Sequence, residues 1–181
     1  MALKISFKAE AQTEKNGEGV THKLYIYDPV HGGYDIDPES WEFHTSETSA
    51  AYFRKALEAV SKSDTIEVHI NSAGGSVKEG LAIANQLAAH PARKVAYVDG
   101  FNCSVCTAIS SACDQVVMPK SAVTYVHHAW DSVAGNAAQL RSVADALDTI
   151  DTAFRAAILR HAGERMTEER LVELMDANGY E

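Results

Sequence analysis

The sequence lacks a long apolar run, an excess of basic residues and the apolar core of a secretory signal. None of its apolar stretches reaches the about 18 residues that a transmembrane helix requires, and the N-terminus begins Met1-Ala2-Leu3-Lys4 without a signal-like apolar segment. A formal net charge of -9 argues against a surface of clustered lysine and arginine that would bind phosphates. We therefore expect a soluble, intracellular protein with no membrane or nucleic-acid partner.

Cysteine is also scarce, with only Cys103, Cys106 and Cys113. An odd number within so short a stretch does not form a disulfide framework, and it suits a reducing compartment. The pair Cys103-x-x-Cys106 leaves open a redox dithiol, and a zinc site with a histidine is a further alternative, although the spacing of Cys106 and Cys113 is unusual for ligands. Cysteine also fills small buried positions without any chemical role.

What the sequence does have is enough apolar material for one folded domain, since 46% of its 181 residues are hydrophobic. We predict a single domain over residues 1–181, with 1–21 as a variable N-terminal segment that includes a polar loop at 13–19. Another loop is expected at 29–38. Strands are predicted at 22–28, 65–70, 94–99, 115–118 and 123–126, and helices from 45 or 46 to about 60, at 76–89, after Ser104, at 137–160 and at 167–176. Alternating strands and helices indicate an α/β fold with parallel pairing.

Ser104 lies where a predicted strand gives way to a helix, in Asp99-Gly100-Phe101-Asn102-Cys103-Ser104. Free backbone N–H groups and the helix dipole favour developing negative charge at such a junction. This makes Ser104 a candidate nucleophile, although a lone serine more often eases helix packing. The nucleophile elbow of α/β-hydrolases is absent, because Gly100 precedes Ser104 by four residues and Cys106 stands two residues after it.

Two further motifs flank this junction. The turn Asn71-Ser72-Ala73-Gly74-Gly75 follows a predicted strand, and its backbone can approach a bound carbonyl closely because glycine has no Cβ. Downstream, the predicted strand Val123–Val126 ends at His127 and His128. Either histidine could serve as a base, and the two point to opposite faces of an extended chain. Together the motifs are typical of a nucleophile, a base and an oxyanion loop.

These motifs resemble the Clp-type serine peptidases, and most closely the branch found in phage and prophage head genes. The resemblance spans about residues 22–178 and is carried by four separate motifs, namely Ile70–Val77, His90–Ala92 with Val95–Gly100, Ser104, and His127–Trp130. In that branch the last motif is His-Asn-Pro-Trp, so His127 matches the base. The resemblance implies Ser104 as nucleophile and the backbone N–H groups of Gly75 and Val105 as oxyanion donors.

The resemblance also implies an architecture and partners. The fold would be the superhelix of ββα units shared by ClpP and crotonase, with a long protruding helix. That helix is the amphipathic segment 137–160, which forms part of a handle between stacked rings in the family. We expect a homo-oligomeric ring in the cytoplasm of a bacterial or phage-infected cell. It would need no cofactor or metal and would cleave polypeptide such as capsid or scaffold protein; an unfoldase partner stays open.

The third catalytic residue is less well defined. A serine–histidine pair needs a group on the far imidazole nitrogen to orient the ring and stabilise its charge. Asp176 is the candidate, while alignment of Leu174-Met175-Asp176-Ala177 with the phage pattern places the acid at Asn178. Two other departures from the family are Ala73, where relatives carry proline, and an end at Glu181, where the resemblance predicts a longer C-terminus.

Two other functions remain as alternatives. The chain could be a ring-forming assembly protein that keeps the fold with muted activity, which the uncertain acid and the short C-terminus motivate. It could also be an acyl-CoA enzyme of the crotonase type, which shares the architecture and the oxyanion loops. The second alternative gives no reason for the match of Ser104 and His127 to peptidase motifs.

Overall fold

A mainly parallel sheet lies at the centre of the computed structural model, which describes residues 13–16, 19–37 and 40–177. The elements in chain order are β1 (Thr13–Asn16), β2 (Gly19–Ile26), β3 (Tyr34–Ile36), β4 (Phe43–Thr45), α1 (Ala50–Leu57), β5 (Thr65–Ser72), α2 (Val77–Ala89), β6 (Arg93–Cys103), α3 (Cys106–Ser111), β7 (Gln115–Val117), β8 (Val123–Tyr125), α4 (Ala137–Leu159), a 3-10 turn (Gly163–Arg165) and α5 (Glu168–Ala177). The described part of the sheet has the order β1-β2-β5-β6-β7, with β8 also paired to β6. The predicted α/β fold with parallel strands is confirmed.

Strand β5 shows why the sheet forms where it does. Its alternating residues Ile66, Val68 and Ile70 are fully buried, as expected for β-branched side chains on the covered face of a sheet. It pairs in parallel with β2 on one side and with β6 on the other. The carboxyl ends of these strands therefore meet at one edge, where ligand sites of parallel sheets are usually found.

Helices α2 and α4 begin at well-formed caps. The hydroxyl of Ser76 accepts the N–H of Glu79, and Asn136 and Gln139 form a reciprocal capping box at the start of α4. The first half of α4 is largely exposed, whereas Phe154 and Ala157 in its second half are buried. It is thus the predicted long helix, which packs only through its C-terminal part. No helix in the described ranges has both the length and the hydropathy to cross a membrane.

The predicted loops differ most from the structure. Part of 13–19 forms β1, which pairs antiparallel with β2. Asn16, the last residue of β1, precedes Gly17 in the sequence, and Asn-Gly is a typical hairpin signal. The segment after β2 contains a two-stranded hairpin of β3 and β4 instead of a continuous loop. Helix α1 begins at Ala50 because Ser49 caps it, its hydroxyl accepting the N–H of Tyr52.

Candidate active site

Ser104 lies between β6 and α3 in a backbone conformation that is rare for its residue type. Its φ is +54°, in the left-handed region, which costs a non-glycine residue roughly 1–2 kcal/mol. Two contacts hold it there, because its N–H donates to the carbonyl of Tyr125 over 2.8 Å and its carbonyl accepts the hydroxyl of Thr107 over 2.7 Å. Strained residues that their surroundings fix in this way are often found at functional sites.

The glycine loop after β5 contacts Ser104 directly. Gly74 and Gly75 have φ values of +102° and +146°, and a Cβ on Gly74 would lie 2.5 Å from that of Ser104. Val30 holds the loop from the other side, since its N–H donates to the carbonyl of Gly74 over 2.8 Å and its carbonyl accepts the N–H of Ser76 over 2.7 Å. Glycine is therefore required at both positions for steric as well as conformational reasons.

His127 follows β8, whose parallel pairing with β6 places Tyr125 opposite Cys103. Its Nδ1 lies 2.7 Å from the backbone carbonyl of His128. A carbonyl can only accept a hydrogen bond, so this contact assigns the proton of the neutral ring to Nδ1 and leaves the lone pair on Nε2. His127 is in the tautomer that a general base needs when it accepts a proton at Nε2.

Ser104, His127, Gly75 and Val105 all line one cavity of about 430 Å³. The sequence placed these residues in separate motifs, and the fold brings them together at the carboxyl edge of the sheet. The other lining residues are mostly apolar and include Val77, Trp130 and Phe154. The cavity thus combines a hydroxyl, an imidazole and backbone amides with an apolar wall that can contact an apolar group of a bound molecule.

The candidate Asp176 and a second carboxylate, that of Asp151, both contact His128, the residue after His127. The Oδ1 of Asp176 lies 2.9 Å from Nε2 of His128, and Oδ2 of Asp151 is hydrogen bonded to Nδ1 of the same ring. The pKa of His128 is raised mainly by its hydrogen bond with Asp151 and, to a smaller extent, by its hydrogen bond with Asp176. Asn178, the alternative acid position, lies outside the described residues.

The sequence patterns did not single out Asp151, although its position on α4 is unusual for an acidic residue. It lies four residues after Leu147 and three before Phe154, on the apolar stripe of α4. An acidic residue in that stripe, here largely buried at 8% exposure, requires hydrogen-bond partners. Its position should therefore have marked it as part of a polar site.

The cysteines near Ser104 have little thiolate character. All three are free thiols. Burial raises the pKa of each thiol, to about 11 for Cys106 and to about 12 for Cys113. Reactive cysteines have a lowered pKa instead. Within the described ranges, histidine, cysteine, aspartate and glutamate form no group of three that could hold a metal ion.

Sequence comparison places this chain in a known class of peptidase. Residues 45–179 match the Clp protease family, and this stretch contains the glycine loop, Ser104 and His127. The chain belongs to the Clp protease family, whose members are serine-type peptidases. A comparison with curated protein sequences gave no match.

A close contact between α2 and Val105 yields a stability prediction. A Cβ on Gly80 would lie 2.2 Å from Cγ2 of the buried Val105. We expect Gly80→Ala to lower the free energy of unfolding by about 1–3 kcal/mol, which is typical of overpacking, as measured by urea denaturation. Adding Val105→Ala removes the clashing methyls, so the double variant should lose less than the sum of the two single losses. Additive losses would contradict a direct contact.

Proposed function

We propose that this chain is a serine endopeptidase of the ClpP type, with Ser104 as nucleophile and His127 as general base. The observation that carries the proposal is the shared cavity of Ser104, His127, Gly75 and Val105. The Nδ1 contact of His127 supports it further, because that contact leaves Nε2 as the basic nitrogen.

In the proposed reaction Oγ of Ser104 attacks the carbonyl carbon of the scissile peptide bond. His127 accepts the hydroxyl proton at Nε2 and then donates it to the leaving amine. The backbone N–H groups of Gly75 and Val105 stabilise the oxyanion of the tetrahedral intermediate. Water, deprotonated by the same imidazole, then hydrolyses the acyl-enzyme and regenerates the serine.

Asp176 is the proposed acid of this site. Its carboxylate hydrogen bonds to His128, the residue that supplies the carbonyl acceptor of His127. The proposed triad is Ser104, His127 and Asp176. In it, Asp176 acts on His127 through the neighbouring residue His128. Its negative charge favours the imidazolium that forms during acyl transfer.

The proposed substrate is an extended polypeptide that lies along the glycine loop, as in other cases of strand addition. The apolar wall formed by Val77, Trp130 and Phe154 suits an apolar side chain beside the scissile bond. The phage-type motifs at His127–Trp130 and Leu174–Ala177 support capsid or scaffold protein as the natural substrate, processed during head maturation in the bacterial cytoplasm.

We further propose that the chain assembles into a homo-oligomeric ring. Exposed apolar side chains lie along the edge of the sheet formed by β7 and β8 beside β6, where a second subunit could cover them; they are Phe101, Val116, Val117, Val123 and, just after β7, Met118. Exposed apolar residues grouped in this way often mark a protein interface. Light scattering on the purified chain would measure the number of subunits.

Labelling with a fluorophosphonate tests the catalytic proposal without knowledge of the natural substrate. We expect the folded protein to react with one probe molecule per chain, and mass spectrometry of the peptide fragments should place the adduct on Ser104. Heat-denatured protein and His127→Ala should react at least about 10³-fold more slowly, because neither has the imidazole of His127 positioned beside Ser104. Absence of labelling in the folded protein, or an adduct on another residue, would contradict the proposal and would favour an inactive assembly protein.

A further inference from the structure

One peptide group joins the base to a buried carboxylate. The carbonyl of His128 accepts the Nδ1–H of His127 over 2.7 Å, and the N–H on the other side of the same peptide group, that of Ala129, donates to Oδ1 of Asp151 over 2.7 Å. The order of hydrogen bonds is thus Asp151 carboxylate, peptide group, His127 imidazole. The chain reaches His127 at Nδ1, and Nε2 of the same ring is the nitrogen that accepts the proton in the proposed reaction.

The second carboxylate oxygen of Asp151 holds the side chain of His128 in the same segment. Oδ2 accepts a hydrogen bond from Nδ1 of His128, while Asp176 on α5 contacts Nε2 of that ring. Arg155, one turn further along α4, has its Nη1 4.0 Å from Asp151 and its Nε 3.2 Å from Glu168 on α5. Asp151 therefore fixes both the backbone and the side chain of the segment that carries the acceptor of His127.

We infer that Asp151 and His128 are positioning residues for His127, acting through the peptide group between His128 and Ala129. This inference rests on the proposed function, in which His127 is the base. An N–H that donates to a carboxylate polarises its peptide group and makes the attached carbonyl a stronger acceptor, because hydrogen bonds in a chain reinforce one another. The carbonyl then holds the tautomer and orientation of His127, a task that a carboxylate performs directly in the usual triad.

The arrangement has a definite dependence on pH. Only protonated His128 can donate to Asp151 and Asp176 at once. The carboxylates raise the pKa of His128 above its ordinary value, so both bonds are present below that ordinary value and one is lost as the pH rises through the raised pKa. Positioning of His127 should therefore weaken at alkaline pH. The groups that face His128 in this titration are Asp151 and Asp176, with Arg155 and Glu168 beyond them.

The test is the rate of fluorophosphonate labelling of Ser104 between about pH 5.5 and 9.5. We expect Asp151→Asn to react about 10-fold to 100-fold more slowly than wild type, less than the about 10⁴-fold loss when a carboxylate in direct contact with the base is replaced. Asp151→Asn should also move the alkaline decline to lower pH, since it removes the main cause of the raised pKa. Asp176→Asn, at an exposed position, should move the alkaline decline of the labelling rate less. His128→Asn should abolish this decline.

Asp148→Asn is the matched control, because it removes the same charge from an exposed position one turn earlier on α4. It should leave both rate and pH profile unchanged. A general loss of structure would lower the rate at every pH without moving the decline. An Asp151→Asn variant with the wild-type rate and profile would overturn the inference.

A second measurement separates this inference from the proposed function. In the NMR spectrum of histidine-labelled protein, the Nδ1 proton of His127 should give a downfield, slowly exchanging signal that moves upfield in Asp151→Asn. If wild type is not labelled on Ser104, the proposed function fails, and the NMR signal still decides the inference. An unchanged Nδ1 signal in Asp151→Asn would reject it.

Discussion

Replacing Ser104 by alanine is expected to lower kcat/KM for peptide hydrolysis by at least about 10³-fold, with the loss in kcat and little change in KM. The hydroxyl forms the new bond and contributes little to ground-state binding, so its removal affects the transition state alone. A fluorogenic peptide with an apolar residue before the scissile bond would measure this. The melting temperature should change little, because alanine keeps the Cβ and meets the same backbone conformation.

Cys103→Ala is the matched control for this experiment. It changes the residue beside Ser104 and removes the first thiol of the Cys103-x-x-Cys106 pair. Because burial raises the pKa of Cys103, its thiol is less ionised than that of a free cysteine, and we expect the variant to hydrolyse the peptide at nearly the wild-type rate. If Ser104→Ala kept full activity while Cys103→Ala lost it, the nucleophile would be the thiol instead.

The strands that carry the site could be predicted because their patterns are local. Buried β-branched residues alternate along β5, and β5 and β6 end at the turns that hold Gly75 and Ser104. Parallel pairing then requires these ends to lie at one edge of the sheet. Local pattern and overall topology agree here, which is the condition under which sequence reasoning succeeds.

The hairpin of β3 and β4 could not be predicted in the same way. Its strands have three residues each, and its large apolar side chains Tyr34, Ile36 and Phe43 are exposed. A strand signal depends on one buried face, and neither strand has one. The side chain of His31 contacts both Asp35 and Ser46, and such contacts between single polar side chains give the sequence no periodic pattern.

The acidic residues show the limit of motif reasoning most directly. Sequence order placed Asp176 near the site, and the structure puts its carboxylate on His128. Asp151 contacts the same imidazole from another helix, 23 residues after His128. Which carboxylate meets which imidazole depends on the packing of α4 and α5 against the strand ends, and neither distance nor order along the chain determines it.

Gly75→Ala is expected to lower the free energy of unfolding by about 3 kcal/mol or more and to abolish labelling of Ser104. Two penalties combine at this position. A Cβ in a left-handed backbone costs roughly 1–2 kcal/mol, and here it would also lie 2.2 Å from the carbonyl oxygen of Val30. Val30 cannot move without breaking its hydrogen bonds to Gly74 and Ser76, so the clash displaces the loop that holds the proposed oxyanion donor.

Gly33→Ala separates these two penalties. Gly33 has a φ of +99°, and a Cβ there would meet no heavy atom within 4 Å. Gly33→Ala should therefore lower the free energy of unfolding only by the conformational cost, about 1–2 kcal/mol. It should keep full labelling of Ser104. Urea denaturation of both variants gives the difference as the cost of the clash with Val30. Equal losses of stability and equal labelling in the two variants would mean that the loop adapts freely, and Gly75 would then have no special part in the site.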